Sequence, residues 1–215
     1  MLFSGWRQHG LTICLSLAAW CFSGQSLVVS AAEERAQAPA DERTAVRQGV
    51  EIERERRWLD AVEYYEESLK SWPESETLKY GLRRSKIHFS IERRYTDKTF
   101  LEDLWSQSQA GSMTYLDDVL NKVRQHYVDP VSATSFVAHG TESLYHGLNN
   151  PRFLDRNLKQ ANPAAISKLR QTLKDKYWNR SVGGLDGARQ VVGEVCDLAR
   201  REVNLASGPI VMEYI

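Results

Sequence analysis

Histidine and carboxylate side chains are the groups in this sequence best suited to bind a metal or to move protons. His139 and His146 are seven residues apart and share a face of a predicted helix. A zinc site needs a further ligand, and no cysteine or carboxylate is placed to supply one. The carboxylates of Glu66 and Glu67 diverge by about 100° around a helix and form no acid–base pair. We therefore predict no catalytic, cofactor-binding or metal-binding residues in this chain, and no cofactor.

The elements that carry these side chains all show helical patterning. Apolar residues recur at helical spacing from residue 42 onward, and no run alternates between apolar and polar residues as a strand does. The sequence therefore predicts an all-α fold. The 215 residues suffice for one or two small cores, and the net charge of zero argues against a nucleic-acid partner.

Residues 1–32 have the layout of a secretory signal peptide, with one cation, a short apolar run and small residues at the exit. The alternative is an uncleaved anchor formed by residues 11–32, the one membrane attachment that we predict. Residues 33–41 are small and polar and predict a tether. The protein is therefore expected to be exported to the cell envelope or periplasm, with Cys196 as a buried structural cysteine outside the signal.

Residues 42–105 predict a helical hairpin with a capping helix, and the hairpin is similar to a tetratricopeptide repeat. Small and aromatic residues fall at positions 8, 20, 24, 27 and 32 of a 34-residue window, the spacing of that helix-turn-helix unit: Gly49, Ala61, Tyr65, Ser68 and Pro73. The small side chains allow the two helices to cross closely, and the proline ends the second helix. A generic helical hairpin is the alternative interpretation.

The third helix of this segment supplies apolar residues to cover the hairpin, namely Leu78, Leu82, Ile87 and Ile91. Its arginines, Arg83, Arg84, Arg93 and Arg94, are interpreted as a solvated face. Repeats of this type present residues of the first helix to a peptide. The corresponding candidates for partner binding are Arg43, Val46, Val50, Glu53 and Arg54, with a solvated helix face as the alternative.

Residues 106–112 read as a linker, and residues 113–215 predict a second module, a small helical bundle. Asn162-Pro163 is a helix start, with an Asn cap and proline at the first helical position. Residues 209–215 form a strongly apolar half-helix after which the sequence stops. We therefore expect a C-terminally truncated protein with an exposed, adhesive apolar side.

Within the second module, residues 115–148 contain the motif Tyr127-Val128-Asp129-Pro130, followed downstream by Gly140 and Leu148. This stretch resembles the start of the carboxyl-terminal processing, or tail-specific, serine peptidases. The resemblance implies a parent enzyme that continues into a PDZ domain and a catalytic domain with a Ser nucleophile and a Lys base. No serine of this chain stands in the family's nucleophile context.

Two functions follow as hypotheses. In the first, the chain is the non-catalytic N-terminal region of an exported peptidase, where it docks a protein or peptide partner or associates with a second copy. In the second, it is a self-contained exported adaptor that binds a protein partner through its tetratricopeptide-like hairpin.

Overall fold

The computed structural model describes residues 41–97, 107–126 and 132–215, and the regular structure in these ranges is helical. This confirms the predicted all-α fold. The helices are α1 (Glu42–Arg54), α2 (Trp58–Ser71), α3 (Glu76–Arg94), α4 (Gln109–His126), α5 (Ala133–Gly147), α6 (Pro151–Asn157), α7 (Pro163–Thr172), α8 (Gly184–Val203) and α9 (Ser207–Tyr214). The predicted signal peptide, the tether up to residue 40 and the Tyr127–Pro130 motif lie outside the described residues.

Side-chain caps set several helix starts. Asp41 accepts a hydrogen bond from the Thr44 amide at 2.8 Å, and this bond lowers the pKa of the Asp41 carboxyl. Asn162 accepts one from Ala164 at 2.9 Å with Pro163 at the first helical position, which confirms the predicted start of α7. Each cap satisfies an amide that has no partner within its own helix.

Helix α3 belongs to two hydrophobic cores. Near its start, Leu78 packs into a small core with Ala45, Ala61 and Tyr65 from α1 and α2. Near its end, Ile91 is fully buried in the larger core, which is built mainly by α4, α5, α7, α8 and α9. The helix predicted to cover the hairpin therefore also joins it to the bundle, and the described residues belong to one compact unit.

The Tyr65 ring lies between two glycines. A Cβ atom added to Gly49 would lie 2.4 Å from the ring, and one added to Gly81 would also lie 2.4 Å away. Glycine at both positions therefore lets α1 and α3 approach the same ring on α2. The prediction that Gly49 and Ala61 allow close helix packing is confirmed, since both residues are buried.

The apolar residues of α9 are buried within the bundle. Ser207–Tyr214 is buried along its whole length and packs against α4, α5 and α8. The Tyr214 ring lies against Gly140 of α5, where an added Cβ would meet the ring at 2.1 Å. The apolar side chains of α9 therefore pack inside the bundle, whereas Ile215 after it is 41% exposed.

Three features of the helices differ from the prediction made from the sequence. Helix α4 begins at Gln109, inside the segment predicted as a linker, and α6 was not predicted at all. Helix α7 continues into a π-helical turn, Leu173–Tyr177. Leu169, Leu173 and Tyr177 recur every four residues, and the wider π turn helps to keep all three buried. Among the described helices, none has the length and apolarity needed to cross a membrane.

We expect Gly81→Ala to lower the free energy of unfolding of the full chain by about 1–3 kcal/mol, because its methyl group would overlap the Tyr65 ring. Gly193→Ala is the matched control. Gly193 lies inside α8 with nothing within 4 Å of an added Cβ, so alanine there is expected to stabilise by up to about 1 kcal/mol. Urea denaturation measures both, and equal effects would contradict the close packing at Tyr65.

Candidate functional site

A groove of about 720 Å³ runs between α3 on one side and α5 and α9 on the other. Cationic side chains of α3 line one wall: Lys79, Arg83, Lys86 and Arg94. Polar residues of α5 line the other: Ser135, His139 and Ser143. Between the walls are the apolar side chains of Leu82, Ile87, Phe136 and Ile215. Pockets of this size are large enough for a drug-sized ligand or several side chains of a protein.

The cationic wall follows from residue spacing. Lys79, Arg83, Lys86, Ser90 and Arg94 are separated by four, three, four and four residues, so they share one face of α3. Helix α3 turns other sides toward Tyr65 and toward the large core. The cations therefore face the space that α5 and α9 close from the opposite side.

The Arg83–Glu142 ion pair connects the two walls. The Nε atom of Arg83 donates to the carboxylate of Glu142 at 2.9 Å. The Glu142 side chain is 3% exposed, whereas that of Arg83 is 47% exposed. A buried carboxylate requires a cationic or hydrogen-bonding partner, so Glu142 holds Arg83 in place while part of its guanidinium stays accessible.

A second ion pair closes the groove at the far end of α3. Arg94 pairs with Glu213 of α9, whose side chain is fully buried, and Ser143 donates to the same carboxylate at 2.6 Å. Beside it, the hydroxyls of Thr141 and Tyr214 lie 2.8 Å apart. Glu213 is thus bound by residues of both α3 and α5, and these contacts hold α9 in place between the two helices.

Two histidines meet where α3 crosses α5. The ring centroids of His88 and His146 lie 5.2 Å apart, and Trp58 stacks on His88 at 4.2 Å. Trp178 contributes a further edge contact to His146 at 6.5 Å. The side-chain nitrogen of Asn150 lies 3.3 Å from Nδ1 of His88, whereas Nε2 of His146 is buried without a hydrogen-bond partner. These rings join the first three helices to the bundle.

Burial keeps both histidines neutral. It lowers the pKa of His88 to about 4, and the charge of Arg84 adds to that effect. It lowers the pKa of His146 to about 3, with a further contribution from His88. Protonation of either ring would place a positive charge in a buried site. At His146 the added proton would also have no hydrogen-bond acceptor.

The residues predicted to bind a partner lie on α1, and none of them lines the groove. Arg43 and Arg54 are exposed, and Arg54 pairs with Glu51. Val46 and Val50 are half-buried. Glu53 is buried and accepts hydrogen bonds from Arg84 at 2.6 Å and Ser85 at 3.0 Å, so its carboxylate is committed inside the protein.

The prediction that the arginines of α3 form a solvated face is wrong for Arg84 and Arg94. Their side chains are 25% and 23% exposed and bind the buried carboxylates of Glu53 and Glu213. Arg83 and Arg93 are exposed, as predicted, although Arg83 also binds the buried Glu142. The groove itself was missed because the acidic partners of Arg83 and Arg94 are 59 and 119 residues away in sequence.

The remaining candidate groups are placed apart. His139 is exposed in the groove wall and His146 is buried, and the described residues bring together no group of three metal-ligating side chains. Cys196 is buried as expected, and burial raises the pKa of its thiol to about 11. At neutral pH this thiol is protonated and a poor nucleophile.

In comparisons with known proteins, no family model, no curated protein and no solved structure matches this chain.

We expect the protein to lose stability as the pH falls below about 6.5. An unfolded histidine binds a proton near that pH, whereas the native His88 and His146 rings stay neutral down to about 4 and about 3. Each ring should lower the free energy of unfolding by up to about 1.4 kcal/mol per pH unit, with the full slope reached toward pH 5.

Urea denaturation between about pH 5 and pH 6.5 tests this on the full chain and on His146→Phe. Phenylalanine keeps an aromatic ring at the position and removes the unpartnered nitrogen. The variant should show a shallower dependence on pH, by the contribution of one ring. Identical slopes for the two proteins would show that His146 does not titrate with unfolding.

Proposed function

We propose that this helical domain is a non-catalytic docking module that receives a segment of a protein partner in the groove between α3, α5 and α9. The observation that carries the proposal is the form of the groove, an apolar strip beside a wall of cations. Apolar contact supplies affinity in such sites, and charges at the edge select the partner and its orientation.

The ion pairs beneath the groove support this role. Arg83 and Arg94 are held by carboxylates buried in α5 and α9, so the wall is arranged before any partner arrives. A preformed surface binds with a smaller loss of conformational entropy than one that must be ordered on binding. Docking is thus a use to which this groove is well suited.

The parent protein that we propose is an exported peptidase of the carboxyl-terminal processing type, with this domain as its N-terminal region. The proposal rests on the resemblance of residues 115–148, in which Gly140 gives α5 its close contact with Tyr214. A stand-alone exported adaptor would use the same groove.

An immunoblot of native cells with an antibody against residues 113–203 separates these parents. A band much larger than 24.6 kDa is expected for the peptidase. A band near or somewhat below that mass would instead favour the adaptor, and it would leave the docking proposal intact.

Photo-crosslinking in native cells tests docking itself. A photoreactive residue at Ser135 or His139, both exposed in the groove wall, should yield a discrete adduct with a partner protein. The same residue at Gln171, exposed on α7, should not. The partner is identified by mass spectrometry, and the complex is formed again from purified proteins. Equal labelling from all three positions would contradict docking in the groove.

Charge reversal locates the contact. Lys79→Glu with Lys86→Glu should abolish the Ser135 adduct, because both lysines line the groove. Arg43→Glu with Arg54→Glu is the matched control, since it makes the same change in net charge on α1. If the adduct is lost only in the Arg43→Glu, Arg54→Glu variant, the partner binds to the face of α1 that the sequence first suggested.

A further inference from the structure

The charged side chains that line the groove are mostly cationic. Four cationic side chains and one carboxylate side chain line it, and that carboxylate, Glu213, is fully buried and bound to Arg94. The chain as a whole has no net charge, so this surface is a local concentration of cations. A partner with negative charge is the complement of such a wall.

Two of these cations can exchange their partners at little cost. Lys79 pairs with Glu74 and Glu76, whose side chains are 93% and 86% exposed, and Lys86 pairs with the exposed Glu66. Exposed pairs of this kind are worth at most about 1 kcal/mol. A partner carboxylate that is partly shielded from water in the groove can therefore replace them.

Arg83 adds a third, oriented cation. Among the described residues, Arg83 donates a hydrogen bond to Glu142 through its Nε atom. Its two terminal nitrogens can therefore donate to a further acceptor. The side chain is 47% exposed. Because the buried carboxylate fixes the guanidinium plane, a partner carboxylate can form a two-point contact without first ordering the arginine.

The dimensions of the groove fit one face of a helix. From Lys79 to Arg94 the wall rises by roughly 22 Å, which corresponds to about four helical turns. A volume of about 720 Å³ over that length admits a row of side chains but not a whole helix, whose diameter is about 10 Å. The apolar row of Leu82, Ile87 and Phe136 would contact the apolar stripe of such a helix.

We infer that the groove binds an acidic amphipathic helix of a partner protein, with its apolar stripe on Leu82, Ile87 and Phe136 and its carboxylates on Lys79, Arg83 and Lys86. The spacing of four and then three residues between these cations matches carboxylates at i, i+4 and i+7 of a helix lying alongside α3. This inference rests on the proposed docking function and names the chemistry of its partner.

Fluorescence anisotropy with the purified full chain and designed peptides tests the inference. The probe is a peptide of roughly fifteen residues, about four turns, with leucines on one face and glutamates beside them. Its controls are a scrambled peptide of the same composition and a peptide with lysine in place of glutamate. The acidic amphipathic peptide should bind, and added salt should weaken its binding. Equal binding of either control would overturn the inference.

The protein variants supply the second arm. Lys79→Glu with Lys86→Glu should weaken binding of the acidic peptide by about tenfold or more, while Arg43→Glu with Arg54→Glu leaves it within about twofold. Circular dichroism confirms that both variants are folded. If the groove variant binds the peptide as well as the unmodified chain does, the inference is wrong.

Other anionic partners are direct competitors in the same assay. Tighter binding of single-stranded DNA or of anionic lipid vesicles through Lys79 and Lys86 would overturn the inference in favour of that partner class. A groove-specific crosslinked protein whose segment is not an acidic helix would also overturn it, while the docking function would stand. Absence of any groove-specific crosslink would remove the docking function itself.

Discussion

The structure depends on how α3 is held against α5 and α9, because this crossing both joins the two cores and creates the groove. Two ion pairs, Arg83 with Glu142 and Arg94 with Glu213, lie along it, and the His88 and His146 rings pack edge to face between them. Two of the groups involved are carboxylates buried almost completely. A buried carboxylate that loses its cation is strongly destabilising, so any other register of α3 along α5 is disfavoured.

Within each core, tyrosine rings packed against glycines determine how closely the helices approach one another. Tyr65 lies between Gly49 and Gly81 and sets the spacing of the first three helices, while Tyr214 lies against Gly140 and sets that of α5 and α9. In both places a side chain larger than hydrogen would overlap the ring. The apolar packing thus fixes each half, and the polar crossing fixes one half against the other. The groove is a consequence of both.

Local sequence signals were sufficient for the fold class and for much of the core. The apolar positions of α3 correctly indicated that Leu78 and Ile91 are buried, and Asn162-Pro163 marked a helix start. Helix α6 was missed because it has seven residues, too few to show a period. Local pattern likewise gave no reason for the buried position of α9, because its neighbours come from distant parts of the chain.

The groove was beyond sequence reasoning for the same physical reason. Arginines at helical spacing have the same pattern whether they face water or a buried carboxylate, and the difference depends on a residue such as Glu142 or Glu213 on another helix. Glu53 shows the converse, since its place on the expected outer face of α1 gave no sign of its burial beside Arg84 and Ser85. Side chains that satisfy one another across the fold can be identified only once the helices are placed.

The groove exists before any partner binds, and a distance measured across it tests this most directly. Spin labels at Ser90→Cys and Ser135→Cys, on opposite walls, would be measured by double electron–electron resonance. Cys14 and Cys21 are replaced by serine, and Cys196 is buried with a raised pKa. One narrow distance distribution in the unbound protein is the result that we predict. A broad or two-peaked distribution would show that α3 is not held against α5, and it would contradict the account.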